Sequence, residues 1–181
     1  MKFSALHYSA VVAVLALGIS SVTASLSARR LHCLINQERE HNLFDSFKHS
    51  KELTEVAMGR ALTMANHHKA SLAFPDEPSL ADRTHKADAN TTLHEFSQSA
   101  GVGATREEQI VSSIVNSAPT HELFANNWTH IGIGFARARE GVYWSLVYGR
   151  NETVPTHVYA CSDFDDEPIP VVPNQARTNI K

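Results

Sequence analysis

Eleven histidines and two cysteines carry most of the chemistry this 181-residue chain could perform. Only His67 and His68 are adjacent, and they close an apolar stripe of helical period, where the helix dipole favours an imidazolium without any ligand role. A catalytic zinc takes about three protein ligands and a water, so this pair needs partners from elsewhere in the fold. No serine stands in a Gly-x-Ser-x-Gly setting, and Gly101 and Gly103 are too sparse to cradle a phosphate. Cys33 and Cys161 are expected to pair in an oxidising compartment, which removes them as nucleophiles; the alternative is two buried thiols. Closing so long a loop contributes about 4–5 kcal/mol in the chain-entropy account. Trp128, Trp144, Tyr143 and Tyr148 could form a stacking platform, but aromatics in a hairpin more often fill a core.

The elements that must position these groups are legible in part. In residues 129–136, Ile131, Ile133 and Phe135 alternate with Gly132 and Gly134, the pattern of a strand that buries one face and lets a neighbour approach the other closely. Gly141 supplies a turn. In residues 142–148 both faces are apolar: Val142, Trp144, Leu146 and Tyr148 point one way, Tyr143 and Val147 the other. Helices must therefore cover the sheet on both sides, giving an α/β protein.

Leu31, Leu34 and Ile35 predict a first helix over 26–42. Ser50 reads as the N-cap of a second, whose stripe of Leu53, Val56, Ala57, Ala61, Met64 and Ala65 should fray near His67. Thr105 and Glu108 spell a capping box for a third, with Ile110, Val111, Ile114 and Val115 buried and Pro119 beyond its end. Residues 71–90 show no period and are expected to form a long surface loop.

Residues 1–24 carry Lys2, an apolar run over 10–19 and the small residues before Ala24, the pattern of a secretory signal peptide. The run is shorter than the roughly 20 residues that span a bilayer. Cleavage after Ala24 leaves one domain, expected over 25–161, followed by an acidic, proline-containing tail over 162–181 that has too little apolar surface to fold alone. Secretion would expose sequons at Asn90, Asn127 and Asn151 to glycosylation, with Asn127 the most enclosed. The formal charge of −3 gives no electrostatic ground for nucleic acid or an anionic membrane as partner.

Four segments, in order, resemble the CAP superfamily, the SCP-like domain of cysteine-rich secretory proteins, antigen 5 and plant pathogenesis-related class 1 proteins. They are LHCLINQERE, ALTMANHH, SAPTH, and NWTHIGIGFA followed by YWSLVYG. The likeness spans about residues 26–149. It implies a three-layer α-β-α sandwich with a small, mainly antiparallel central sheet, and a cleft that many members line with two histidines and two acids, some holding a divalent metal such as zinc. On that pattern His121 matches the second cleft histidine, though Thr120 replaces the usual glycine, and Glu95 matches the first glutamate, with Phe96 in place of asparagine. His121 and Glu95 are thus the candidate metal ligands. The second acid falls at Asn116 or Ser117, neither acidic. The first histidine counts to Ser71 or Leu72, leaving His67 or His68, or His85 or His94 from the loop, or a lost position. The resemblance implies a secreted, extracellular and non-enzymatic binding module whose partner is a sterol, a fatty acid or an extracellular protein. A metal-dependent hydrolase or protease and a structural wall or surface protein are the alternatives.

Overall fold

The computed structural model describes residues 26–117, 128–151 and 169–172. His121, Asn127, Cys161, the signal segment and most of the tail lie outside them.

The chain opens with α1 (Ala28–His41), capped by the Ser27 hydroxyl, which accepts from the Arg30 amide at 3.0 Å. A two-residue strand, β1 (Lys48–His49), leads into α2 (Lys51–His67), and Ser50 caps it as expected, accepting from Leu53 N at 3.1 Å. The helix ends at His68, which adopts the left-handed conformation at φ 53°.

The expected 71–90 loop is only partly a loop. It contains α3 (Leu80–Ala87), begun by a capping box in which Ser79 and Asp82 satisfy each other's backbone amides. Eight residues are too few for a helical period to stand out. The helix is held by Leu80 and Ala87 packing against the buried Leu53, Val56 and Val147 cluster. Next comes β2 (Glu95–Val102), a strand that the sequence did not announce. Its interior is small and polar, so the strand exists through its ladder with the neighbouring strand rather than through an apolar alternation.

The third expected helix is α4 (Glu107–Val115), and its N-terminal lock differs in one residue. Gln109, rather than Glu108, reaches back to the Thr105 and Arg106 amides, at 2.7 and 3.3 Å. Glu107 turns inward, where its carboxylate accepts from Ser27 N at 2.6 Å and joins the starts of α1 and α4. The hairpin is β3 (His130–Ala138) and β4 (Gly141–Arg150), antiparallel as predicted.

The sheet order is β1-β3-β4-β2, with only β1 and β3 parallel. α1 and α4 cover one face through Leu31, Ile35, Ile110 and Ile114, packed on Ile131, Ile133, Phe135, Trp144, Leu146 and Tyr148. α2 covers the other, with Met64 and Ala65 against Ala136 and Tyr143. The result is a three-layer α-β-α sandwich. The close approach expected at the strand glycines is made by α2, whose backbone at Leu53, Thr54, Ala57 and Met58 lies where a Cβ on Gly132 or Gly134 would be. Trp144, Tyr143 and Tyr148 are core side chains, and Gly101 makes room for the Trp144 indole.

Part of the expected tail belongs to the sheet edge. β1 pairs only with the start of β3, and further along Arg137 exchanges hydrogen bonds of 2.9 Å with Pro170 and Val172 in a parallel bridge. Ile169 and Val172, the few apolar residues of an acidic segment, pack against the two cores.

Candidate functional site

Glu95 begins β2 directly opposite Arg150, the last residue of β4. Arg150 Nη1 donates to both carboxylate oxygens, at 3.0 and 3.2 Å, and each side chain is more than a third exposed. Strand alternation puts Glu95 on the face that Ser99 and Gly101 share with Tyr148 and Trp144, the α1 and α4 side. His121 itself lies outside the described residues, so Glu95 is the matched cleft residue whose surroundings are seen.

The structure separates His67 and His68 from it. His68 Nδ1 is 3.0 Å from Glu140 in the β3–β4 turn, and its hydrogen bond holds the Glu140 carboxyl below the usual range. Glu140 and Arg150 lie at opposite ends of β4, a strand of ten residues and so about 30 Å long. His67 and His68 therefore occupy the far end of the sheet from Glu95. His67 stacks on Phe74 with centroids 4.3 Å apart, and His85 meets the Phe96 ring edge-on. His94 is exposed, its backbone amide bound to the Arg150 carbonyl. Among the described residues no three His, Cys, Asp or Glu side chains converge as metal ligands, and both Glu95 oxygens face a cation already. The described candidates alone do not assemble a zinc centre.

A polar recess of about 360 Å³ at the Glu95 end of the sheet brings together residues the sequence did not single out: His49, Glu52 and His130, with Lys48, Asp88 and Asn90 at its walls. His130 starts β3, and its Nδ1 lies 2.8 Å from the Thr129 hydroxyl. Burial, then Lys48, pushes the imidazole down to about 4, with Glu52 opposing. Glu52 is held low mainly by the Ser50 hydroxyl at 2.6 Å, helped by its own backbone amide. A neutral imidazole beside an ionised carboxylate suits hydrogen bonding to a ligand. The neighbouring Ser50 hydroxyl is spent on Glu52 and on capping α2, so it is not a nucleophile aligned on a base. No spacing rule links His49 to His130, because the parallel pairing of β1 with β3 brings them together.

This imidazole has a consequence for stability. A histidine whose folded pKa lies below its unfolded value of about 6.5 stabilises the fold fully above pH 6.5 and loses that contribution as pH falls towards 4. Because the ring is partly solvated, about 1–2 kcal/mol is expected. Urea midpoints at pH 7.5 and 4.5 should therefore fall more for the native protein than for His130→Gln. Equal falls would contradict the assignment.

A second concavity, about 300 Å³, runs between α1 and α4. Leu34, Val111 and Val115 form its floor, and Gln37, Glu38, Glu108, Ser112 and Asn116 its rim. Arg30 bridges Glu107 and Glu108 at one end, its guanidinium pKa raised chiefly by the Glu108 hydrogen bond.

Of the sequons, Asn90 is exposed, whereas the Asn151 amide donates to the Thr92 hydroxyl at 3.0 Å. Cys33, half-buried in α1, is not a free thiol.

The family model described as the CAP, or cysteine-rich secretory protein, family matches residues 33–148. Three solved structures share the fold. An extracellular protein containing an SCP domain from Bacillus anthracis is 15% identical, with 68% of this chain and 40% of that one covered and a TM-score of 0.59. An outer surface protein of Borrelia burgdorferi is also 15% identical, with 68% and 92% covered and a TM-score of 0.61. A cysteine-rich secretory protein of Staphylococcus aureus is 17% identical, with 67% and 37% covered and a TM-score of 0.52. The chain thus spans well under half the length of the Bacillus and Staphylococcus proteins. No curated protein matches the sequence.

Proposed function

The chain belongs to the CAP, or cysteine-rich secretory protein, family, and from that premise we propose that it is a secreted, non-enzymatic binding module that takes a sterol-like ligand between α1 and α4. The observation that carries this is the groove: an apolar floor of Leu34, Val111 and Val115 with uncharged hydrogen-bonding groups at Gln37, Ser112 and Asn116. A sterol presents one hydroxyl on an apolar body and fits that lining. A fatty acid fits less well, because its carboxylate would meet Glu38 and Glu108.

Secretion rests on residues 1–24 read as a signal peptide, and it is supported by the extracellular or secretory descriptions of the Bacillus and Staphylococcus proteins. We place a disulfide between Cys33 and Cys161, since Cys33 is not free and Cys161 is the remaining cysteine. Asn90 is the favoured glycan site, because Asn151 would have to release Thr92 first. Metal-dependent hydrolysis gains no support from the described residues, because the Glu95 carboxylate is engaged by Arg150 and His67 and His68 lie at the other end of the sheet.

Native mass spectrometry of protein secreted from a eukaryotic host tests these points together. The expected species begins at Ser25, lacks the two thiol hydrogens, carries glycan at Asn90 and retains a sterol-sized adduct. The adduct should vanish in Val115→Trp, which fills the groove from its floor, where Val115 is only partly buried. An adduct-free protein whose melting temperature does not respond to added sterol would remove the ligand assignment.

A further inference from the structure

Across the sheet from the groove, two arginines lie together under residues 71–79. Arg60 projects from the middle of α2 and is only 2% exposed. Arg83, on α3, donates through Nη2 to Gln98 Oε1 at 3.0 Å, and Gln98 is itself fixed by a bond to Ser145. One carboxylate reaches this pair. Glu77 Oε2 stands 2.8 Å from Arg60 Nη1 but off the direction of its N–H bonds, so the contact is ionic and not a directed hydrogen bond. Arg60 Nε and Nη1 and Arg83 Nε are all buried without a hydrogen-bond partner. The cluster therefore holds two guanidiniums, one carboxylate and three charged donors without a directed hydrogen bond, of which only Arg60 Nη1 has an ionic partner.

That arrangement is costly unless something completes it, since buried charged donors are nearly always paired. Burial, then Arg60, lowers the Arg83 pKa, and Glu77 offsets only part of this. The Glu77 carboxyl is desolvated too, but the Phe74 amide and the two arginines keep it below its usual range. The covering segment has no ladder between the end of α2 and the start of α3, and Phe74 lies over Arg60, with 5.6 Å from the guanidinium carbon to the ring centre. His67 also stacks on that ring.

We propose that the junction of α2, α3 and β2 is a binding site for a small oxyanion, phosphate, sulfate or carboxylate, seated beside Glu77 beneath the 71–79 segment. Arg60 Nε and Arg83 Nε, each buried without a partner, are charged donors of the kind that anion oxygens accept, and one negative charge neutralises the cluster. Entry requires the segment to open, because the three donors do not contact solvent when it is closed.

Thermal melts of the purified secreted protein, at constant ionic strength in chloride, titrated separately with sodium phosphate, sulfate and acetate, test the proposal. A saturable rise in melting temperature is expected, and the anion with the lowest midpoint distinguishes a tetrahedral from a planar ligand. Glu77→Gln, which keeps an oxygen for the Phe74 amide, should tighten the midpoint roughly tenfold by removing the competing charge. Arg83→Gln should abolish the response. A melting temperature that follows only the matched chloride control, in both the native protein and Glu77→Gln, would mark a purely structural cluster. A response unchanged in Arg83→Gln would place the anion elsewhere. Either result overturns the site.

Discussion

Gly134→Ala is expected to yield no folded protein, and Gly132→Ala the same. The added methyl would overlap the backbone of Ala57 and Met58 in the first case and of Leu53 and Thr54 in the second. Ordinary overpacking costs about 1–3 kcal/mol because side chains shift to relieve it. Here the obstacle is a helix backbone, so α2 would have to lift off β3 along its length and strip the Ala136 and Tyr143 cluster of its partners. A loss above about 4 kcal/mol, a large part of a domain's total stability, is the expected scale. Gly59 is the internal control. It sits in the same helix with no atom within 4 Å of its would-be Cβ, so Gly59→Ala should stabilise by about 0.5–1 kcal/mol through helix propensity and unfolded-state entropy. Soluble yield and urea midpoints of the three variants check the prediction. A Gly134→Ala protein as stable as the native one would show that α2 does not seat on β3 as described.

Arg39→Ala should cost about 4 kcal/mol. This α1 side chain is fully buried, and its guanidinium lies over the Phe47 ring at 3.9 Å and near Phe44 at 5.6 Å. Nε donates to the Asp45 carbonyl at 2.6 Å and Nη2 to the Trp128 carbonyl at 3.4 Å, so one residue ties the end of α1 to the turn before β1 and to the approach of β3. Removing it leaves a cavity and strands two carbonyl groups. Burial lowers the pKa of Arg39 to about 10, opposed by Asp45 and Tyr148, so the group stays charged at neutral pH. The melting temperature should drop by about 8–16 °C for a chain of this size. Arg39→Lys should fall between, retaining the charge but not the planar stack or both donors. If the lysine variant matched the native protein, charge alone would account for the position, and the stacking argument would fail.

What the sequence determined by itself was the set of faces. The alternation of Ile131, Ile133 and Phe135 with two glycines, and the two-sided apolar run after Gly141, were enough to require a hairpin with a covering layer on each side and a close neighbour over the glycines. Ser50 announced α2, because a cap is a local contact between residues three apart. Local period and capping are encoded over a few residues, so they survive being read in one dimension.

Only the tertiary structure decided which distant groups meet. β2 is held by backbone ladder bonds to β4, and α3 by the packing of Leu80 and Ala87, so neither carried a periodic signal. Glu95 could be matched by order along the chain, but nothing near it in sequence indicated that Arg150 would take both its oxygens. His67 and His68 looked like neighbours of a cleft until the length of β4 placed them at the other end of the sheet. The same holds for His49 beside His130 and for Arg60 beside Arg83: strand pairing and helix docking create these pairs, and the energy of a site depends on distances that sequence spacing does not contain.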